Sequence, residues 1–130
     1  MHGFVQNIET LSLENEKFRH VIYTAPHCQL VLMALKPGED IGVEIHAVDQ
    51  FFRIESGVGE VILNQKHSAI EGGTAIVVPA GTEHNIVNTG SRSMKLYTVY
   101  APPHHKDGTV HFSKKDALND HEHFDGKTTQ

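Results

Sequence analysis

The sequence predicts an all-β domain, a sandwich or barrel, followed by a short helical or irregular C-terminal tail. Three observations predict it. Short runs rich in β-branched and apolar residues recur at a spacing of about ten residues between positions 18 and 103. Glycine, proline and asparagine turns separate these runs. Helical periodicity is absent until the chain turns polar after Pro103.

The elements follow in order. An N-terminal arm leads into FRHVIYT (18–24), the first strand, so residues 1–27 hold the arm and that strand. CQLVLMAL (28–35) is apolar on both faces and reads as a deeply buried strand. KPGED then turns the chain. IGVEIHA (41–47) is a second extended piece, and QFFRIES (50–56) another. GVGEVILN follows, NQKH supplies a tight turn, and SAIEGG leads to TAIVVP (74–79). AGT turns the chain into EHNIVN (83–88), and TGSRS turns it into MKLYTVYAPP (94–103). Pro102 and Pro103 end that strand because proline donates nothing to a ladder. Residues 28–103 thus form the barrel and 104–130 a polar tail. Within the tail, Ser113 with Asp116 three residues on marks a helix start. The final FDGKTTQ is expected to be poorly ordered.

Composition narrows the partners. A chain of 130 residues with 38% hydrophobic residues suits one core. A formal net charge of -5 argues against nucleic acid, which needs an excess of Lys and Arg. No cationic amphipathic stretch points to a membrane, and the longest apolar run, LVLMAL, is too short to span one. No basic start followed by an apolar run marks a signal peptide. Cys28 is the single cysteine, so no intramolecular disulfide forms, and a cytoplasmic location is expected. Its apolar neighbours predict a buried, inert thiol. Five of the 11 histidines (His104, His105, His111, His121 and His123) fall in the tail, where a solvated role is expected. His121 and His123 share a face only if the tail is extended, which makes a poor second metal site.

The chemistry concentrates at four positions. Residues two apart in a strand face the same way, so Glu44 and His46 share one side, and Gln50, Phe52 and Ile54 share another. If both faces line the interior, Glu44, His46 and Gln50 converge among apolar walls, and PAGTEHN brings His84 from a later strand. Asp49, Arg53 and Glu55 fall on the opposite face with Phe51, whose apolar ring suggests a covered surface. His27 and Tyr23 are expected at a barrel mouth, and Tyr97 and Tyr100 as packing residues.

The motifs resemble those of the cupins, small jelly-roll β-barrels. The first cupin motif, G-x5-H-x-H-x(3,4)-E-x6-G, lies over Gly38, Glu44, His46, Gln50 and Gly57. The second, G-x5-P-x-G-x2-H-x3-N, lies over Gly73, Pro79, Gly81, His84 and Asn88. All spacings are kept, and the departures are at two ligand positions, Glu44 and Gln50. The four glycines are expected at turns of positive φ, and Asn88 as a turn-side hydrogen-bonding residue.

The resemblance implies a divalent metal (Zn, Fe, Mn or Ni) on Glu44, His46, Gln50 and His84. The usual three imidazoles and one carboxylate become two imidazoles, one carboxylate and one amide oxygen, so the ligand charge is unchanged. Both replacements keep a donor atom. The competing reading is a Glu44–His46–Gln50 hydrogen-bond network without an ion.

Two His, one Glu and one Gln is also the ligand composition of zinc-dependent phosphomannose isomerases, though in another order. That implies isomerase-type chemistry on a sugar or sugar phosphate, with Glu44 either a ligand or the catalytic base. Two His and one carboxylate also match Fe(II) or Ni(II) dioxygenases. A third reading is a non-catalytic cupin that binds a small ligand. Homodimers are common in the family and expected here.

Overall fold

The computed structural model describes residues 2–130. Two antiparallel sheets face each other as a cupin-type jelly roll. The elements are α1 (Ile8–Glu14), β1 (Arg19–Thr24), β2 (Gln29–Leu35), β3 (Asp49–Ser56), β4 (Val58–Leu63), β5 (Lys66–Glu71), β6 (Ala75–Val78), β7 (His84–Asn88), β8 (Met94–Ala101), β9 (Val110–His111) and α2 (Lys114–Leu118). One sheet runs β6-β3-β8-β2-β1-β9 and the other β5-β4-β7. Alternation decides what is buried. Gln50, Phe52 and Ile54 of β3 point inward, as do Met94, Leu96, Thr98 and Tyr100 of β8. β2 is buried along nearly its whole length, as its two apolar faces require.

Turn chemistry fixes the register. Asn64 and Gln65, with φ of 46° and 70°, form the tight turn that pairs Leu63 with Lys66. Gly57, at φ 107°, lies where a Cβ would stand 3.0 Å from the Met94 Cα. Asn88 is fully buried; its amide donates to Leu35 O and Arg92 O, and its oxygen accepts from Gly90 N. This holds the loop before β8 in the turn role expected of it. Ser113 Oγ accepts from Asp116 N and starts α2, as its sequence predicts.

Several expectations are corrected. Residues 41–47 form no ladder strand. Asp40 bridges Val87 and Glu44 bridges His84, so four residue steps oppose three. Gly42, at φ 95°, absorbs the extra residue. The arm contains a helix, α1, capped by Asn7 Oδ1 accepting from Thr10 N. Its inner face, Ile8, Leu11, Ser12 and Asn15, has helical spacing but two polar members, which hid it from a hydrophobic pattern.

Cys28 is exposed, because it lies in the turn before β2. His27 is exposed in the same turn, and Tyr23 lies on the outer face beside Phe4, so neither lines a barrel mouth. The last residues are tied down: Thr129 exchanges hydrogen bonds with the Thr24 backbone and donates to Asp107. Among the described residues, no helix is long and apolar enough to cross a membrane.

Candidate metal centre

The segment at 41–46 positions two of the predicted ligands. Glu44 and His84 exchange backbone hydrogen bonds, each 2.9 Å, along the free edge of β7. Gly81 N donates to His46 O at 2.8 Å, tying the turn before β7 to the same segment. Side chains follow from this backbone. Val43 and Ile45 face out, while Glu44 and His46 turn inward toward His84. One ligand atom each from Glu44, His46 and His84 lies within 4.8 Å of the others.

His84 is oriented from behind. Its Nδ1–H donates to Thr82 O at 2.9 Å, which leaves the Nε2 lone pair for the site. Glu44 Oε2 stands 2.5 Å from His46 Nε2. The angle is poor for a hydrogen bond, which leaves the contact a close ion pair. Burial pushes the Glu44 carboxyl up, but the adjacent His46 and the charge of Arg19 outweigh it and hold the group below the usual carboxylate range.

Gln50, 3% exposed, projects from β3, and its Nε2 donates to Thr98 Oγ1 at 2.9 Å. Its Oε1 is buried with no partner, and so is His84 Nε2. Glu44 and His46 pair with each other, but Gln50 Oε1 and His84 Nε2 find no partner, so the hydrogen-bond network is not closed. The cluster of Glu44, His46 and His84, with the His84 Nε2 lone pair bare, fits a cation, since lone pairs left bare in a low dielectric are costly.

The predicted neighbours sort differently. Asp49 Oδ1 accepts from Ala80 N at 2.9 Å and pins a turn away from the site. Arg53 and Glu55 pair on the outer face at 3.5 Å. Tyr97 packs near Phe51 on that face. Tyr100 is fully buried, and its oxygen lies 3.1 Å from His105 Nε2.

The tail is the part that sequence reasoning misplaced. His105 and His111 are buried, not solvated. His104 lies against the site, with its ring centroid 4.2 Å from that of His46, stacked on Tyr100 at 5.3 Å. Burial, then the neighbouring His46 and His105, lower the His104 pKa to about 4. Gln29, fully buried on β2, holds the backbone here. Its Nε2 donates to His105 O and Thr24 Oγ1, and its Oε1 accepts from His104 N and His105 N.

Two tail carboxylates pair with these histidines: Glu122 with His105 at 2.6 Å, and Asp120 with His111 at 2.9 Å. His111 in turn accepts from the buried Arg19. In the HEH stretch, His121 and His123 are exposed and only Glu122 turns inward. The available signal was position: His104 and His105 directly follow the strand that carries Tyr100.

Comparison with known proteins agrees with this architecture. The cupin domain matches residues 31–100, and the chain belongs to the cupin family. It is 48% identical over 122 residues to the protein YrkC of Bacillus subtilis (strain 168), covering 88% of this chain and 66% of that protein, so it spans just under two thirds of that relative's length. The crystal structure of BH2720 from Bacillus halodurans superposes with a TM-score of 0.90 at 44% identity, covering 92% of this chain and 96% of that one. A Thermotoga maritima protein described as a predicted oxalate decarboxylase superposes with a TM-score of 0.55 at 27% identity, over 57% of this chain and 65% of that one.

Proposed function

We propose that this cupin is a metal-dependent enzyme acting on a small oxygenated molecule, with isomerase-type proton transfer on a sugar or sugar phosphate as the leading chemistry. The carrying observation is the cluster of Glu44, His46 and His84 within 4.8 Å, with His84 Nε2 and, on β3, Gln50 Oε1 buried and unpartnered. These four residues hold a divalent ion, Zn, Fe, Mn or Ni, all of which suit N and O donors. When bound, the ion supplies Lewis-acid polarisation of a substrate oxygen. His104 stands on the side where the tail covers the site and is placed to accept the migrating proton. Glu44 is the alternative base if it stands off the ion. The description carried by the Thermotoga maritima relative supports a small oxygen-rich substrate.

A second reading has its own observation. Glu44, His46 and His84 are two imidazoles and one carboxylate within 4.8 Å, the facial set of non-haem iron dioxygenases. Turnover of aldose–ketose pairs under strict anaerobiosis supports the isomerase reading. Oxygen uptake dependent on Fe(II) or Ni(II), without that activity, overturns it in favour of the dioxygenase. Ligand-induced thermal stabilisation with no turnover in either screen leaves a binding protein.

We also propose a homodimer. Val77, Phe51, Val99 and Leu30 lie side by side across four strands on the outer face of the larger sheet, and Val77 is 65% exposed. The exposed single thiol of Cys28 suits a reducing cytoplasm.

A further inference from the structure

The amide at Gln50 raises a problem that a carboxylate would not. Both oxygens of a glutamate ligate, so rotation of the group by a half turn changes nothing. The same rotation of a glutamine swaps a ligating oxygen for a nitrogen whose protons repel a cation. Something must hold Gln50 the right way round. Thr98, which receives Gln50 Nε2, does not suffice, because a hydroxyl donates or accepts equally well.

The tail supplies the missing direction. Glu122 accepts on both oxygens, from Lys106 N at 2.7 Å and from His105 Nδ1 at 2.6 Å. A carboxylate only accepts, so the His105 proton is on Nδ1 and Nε2 keeps its lone pair. The Tyr100 hydroxyl, 3.1 Å from that lone pair, therefore donates outward to it. Its oxygen is left as an acceptor on the inward side. Gln50 is the direct cross-strand neighbour of Tyr100, and both side chains lie on the same inward face. One amide N–H on Thr98 and the second on the Tyr100 oxygen would leave Oε1 bare, and Oε1 is the unpartnered atom. Burial, partly opposed by Glu122, lowers the His105 pKa, in keeping with a neutral ring that carries one proton.

We infer that the chain Glu122–His105–Tyr100–Gln50, anchored in the C-terminal tail, sets the orientation of Gln50 and so presents its carbonyl oxygen to the metal. Glu122, His105 and Tyr100 are positioning residues. The inference rests on the reading of Gln50 as a ligand.

A double-mutant cycle tests it, with Co(II) as the metal probe and its visible absorption and Kd as readouts on the full chain. Tyr100→Phe and Glu122→Ala are each expected to weaken Co(II) binding about tenfold, the usual scale for partners of a ligating side chain. In a Gln50→Glu background, which needs no orientation, the same changes are expected to shift Kd by less than about twofold. Equal losses in both backgrounds would mean a merely structural role and overturn the inference. No loss in the wild-type background, with Gln50→Ala still weakening binding, overturns the chain alone. Unchanged Co(II) binding and spectrum in Gln50→Ala remove Gln50 from the metal and sink both readings. A second measurement needs no variant: ¹⁵N shifts of wild-type His105 are expected to show the proton on Nδ1, and a proton on Nε2 overturns the inference.

Discussion

Removing the metal should destabilise the protein by an amount the site itself sets. Without an ion, His84 Nε2 and Gln50 Oε1 are buried and unpaired, and His46 Nε2 has only its ion pair with Glu44. Each such atom costs about 1–3 kcal/mol relative to a satisfied one. The ion relieves both unpaired atoms at once, so its binding is tight and its contribution grows with concentration. At one hundred times Kd the folded state gains about 2.7 kcal/mol. For a domain of this size that corresponds to a rise in Tm on the order of 10 °C. The assay is thermal unfolding of chelator-stripped protein, titrated with Zn, Fe(II), Mn and Ni. His84→Ala serves as the control, because it removes a ligand and leaves a space for water in place of a buried imidazole. The reasoning fails if the stripped and loaded proteins unfold together, or if His84→Ala keeps the full metal-dependent shift.

Glu44→Ala and His84→Ala should each reduce metal content measured by elemental analysis, and unchanged occupancy in Glu44→Ala would make that residue a base and not a ligand. In metal-free protein, stability should fall on acidification from about pH 6.5 toward pH 4. Burial and the neighbouring imidazoles hold the folded pKa of His104 at about 4, below the ordinary imidazole value of about 6.5. The unfolded chain therefore binds the proton first, and stability is present above 6.5 and lost as pH falls. Urea midpoints should show this slope, and His104→Gln should flatten it; an unchanged slope in the variant would move the effect to other groups. Glu122, held down at about 2 mainly by His105 against the opposing effect of burial, extends the loss in the same direction at lower pH. Phe51→Asp should convert a dimer to a monomer by light scattering, whereas a monomeric wild type would refute the proposed interface.

The fold was legible because its devices are local. The β3 alternation and the NQKH turn each depend on neighbours within a few residues. The same holds for Glu44, His46 and His84, whose spacing within two motifs carries their convergence. The helix at Ile8–Glu14 was hidden because Ser12 and Asn15 occupy its buried face, with Lys95 donating to Asn15 O. The inward turn of the tail was hidden for a different reason. His105 is buried by partners 17 and 76 residues away, Glu122 and Gln29, and no periodicity records such a pairing. A polar, histidine-rich segment reads as solvated until its carboxylates are seen to meet buried imidazoles.

The most direct test of the central claim is anomalous scattering from crystals loaded with a single divalent metal. The account predicts one peak at about 2.0–2.2 Å from Glu44 Oε, His46 Nε2, His84 Nε2 and Gln50 Oε1. A peak that forms elsewhere, or no peak at a stoichiometric loading, would contradict it.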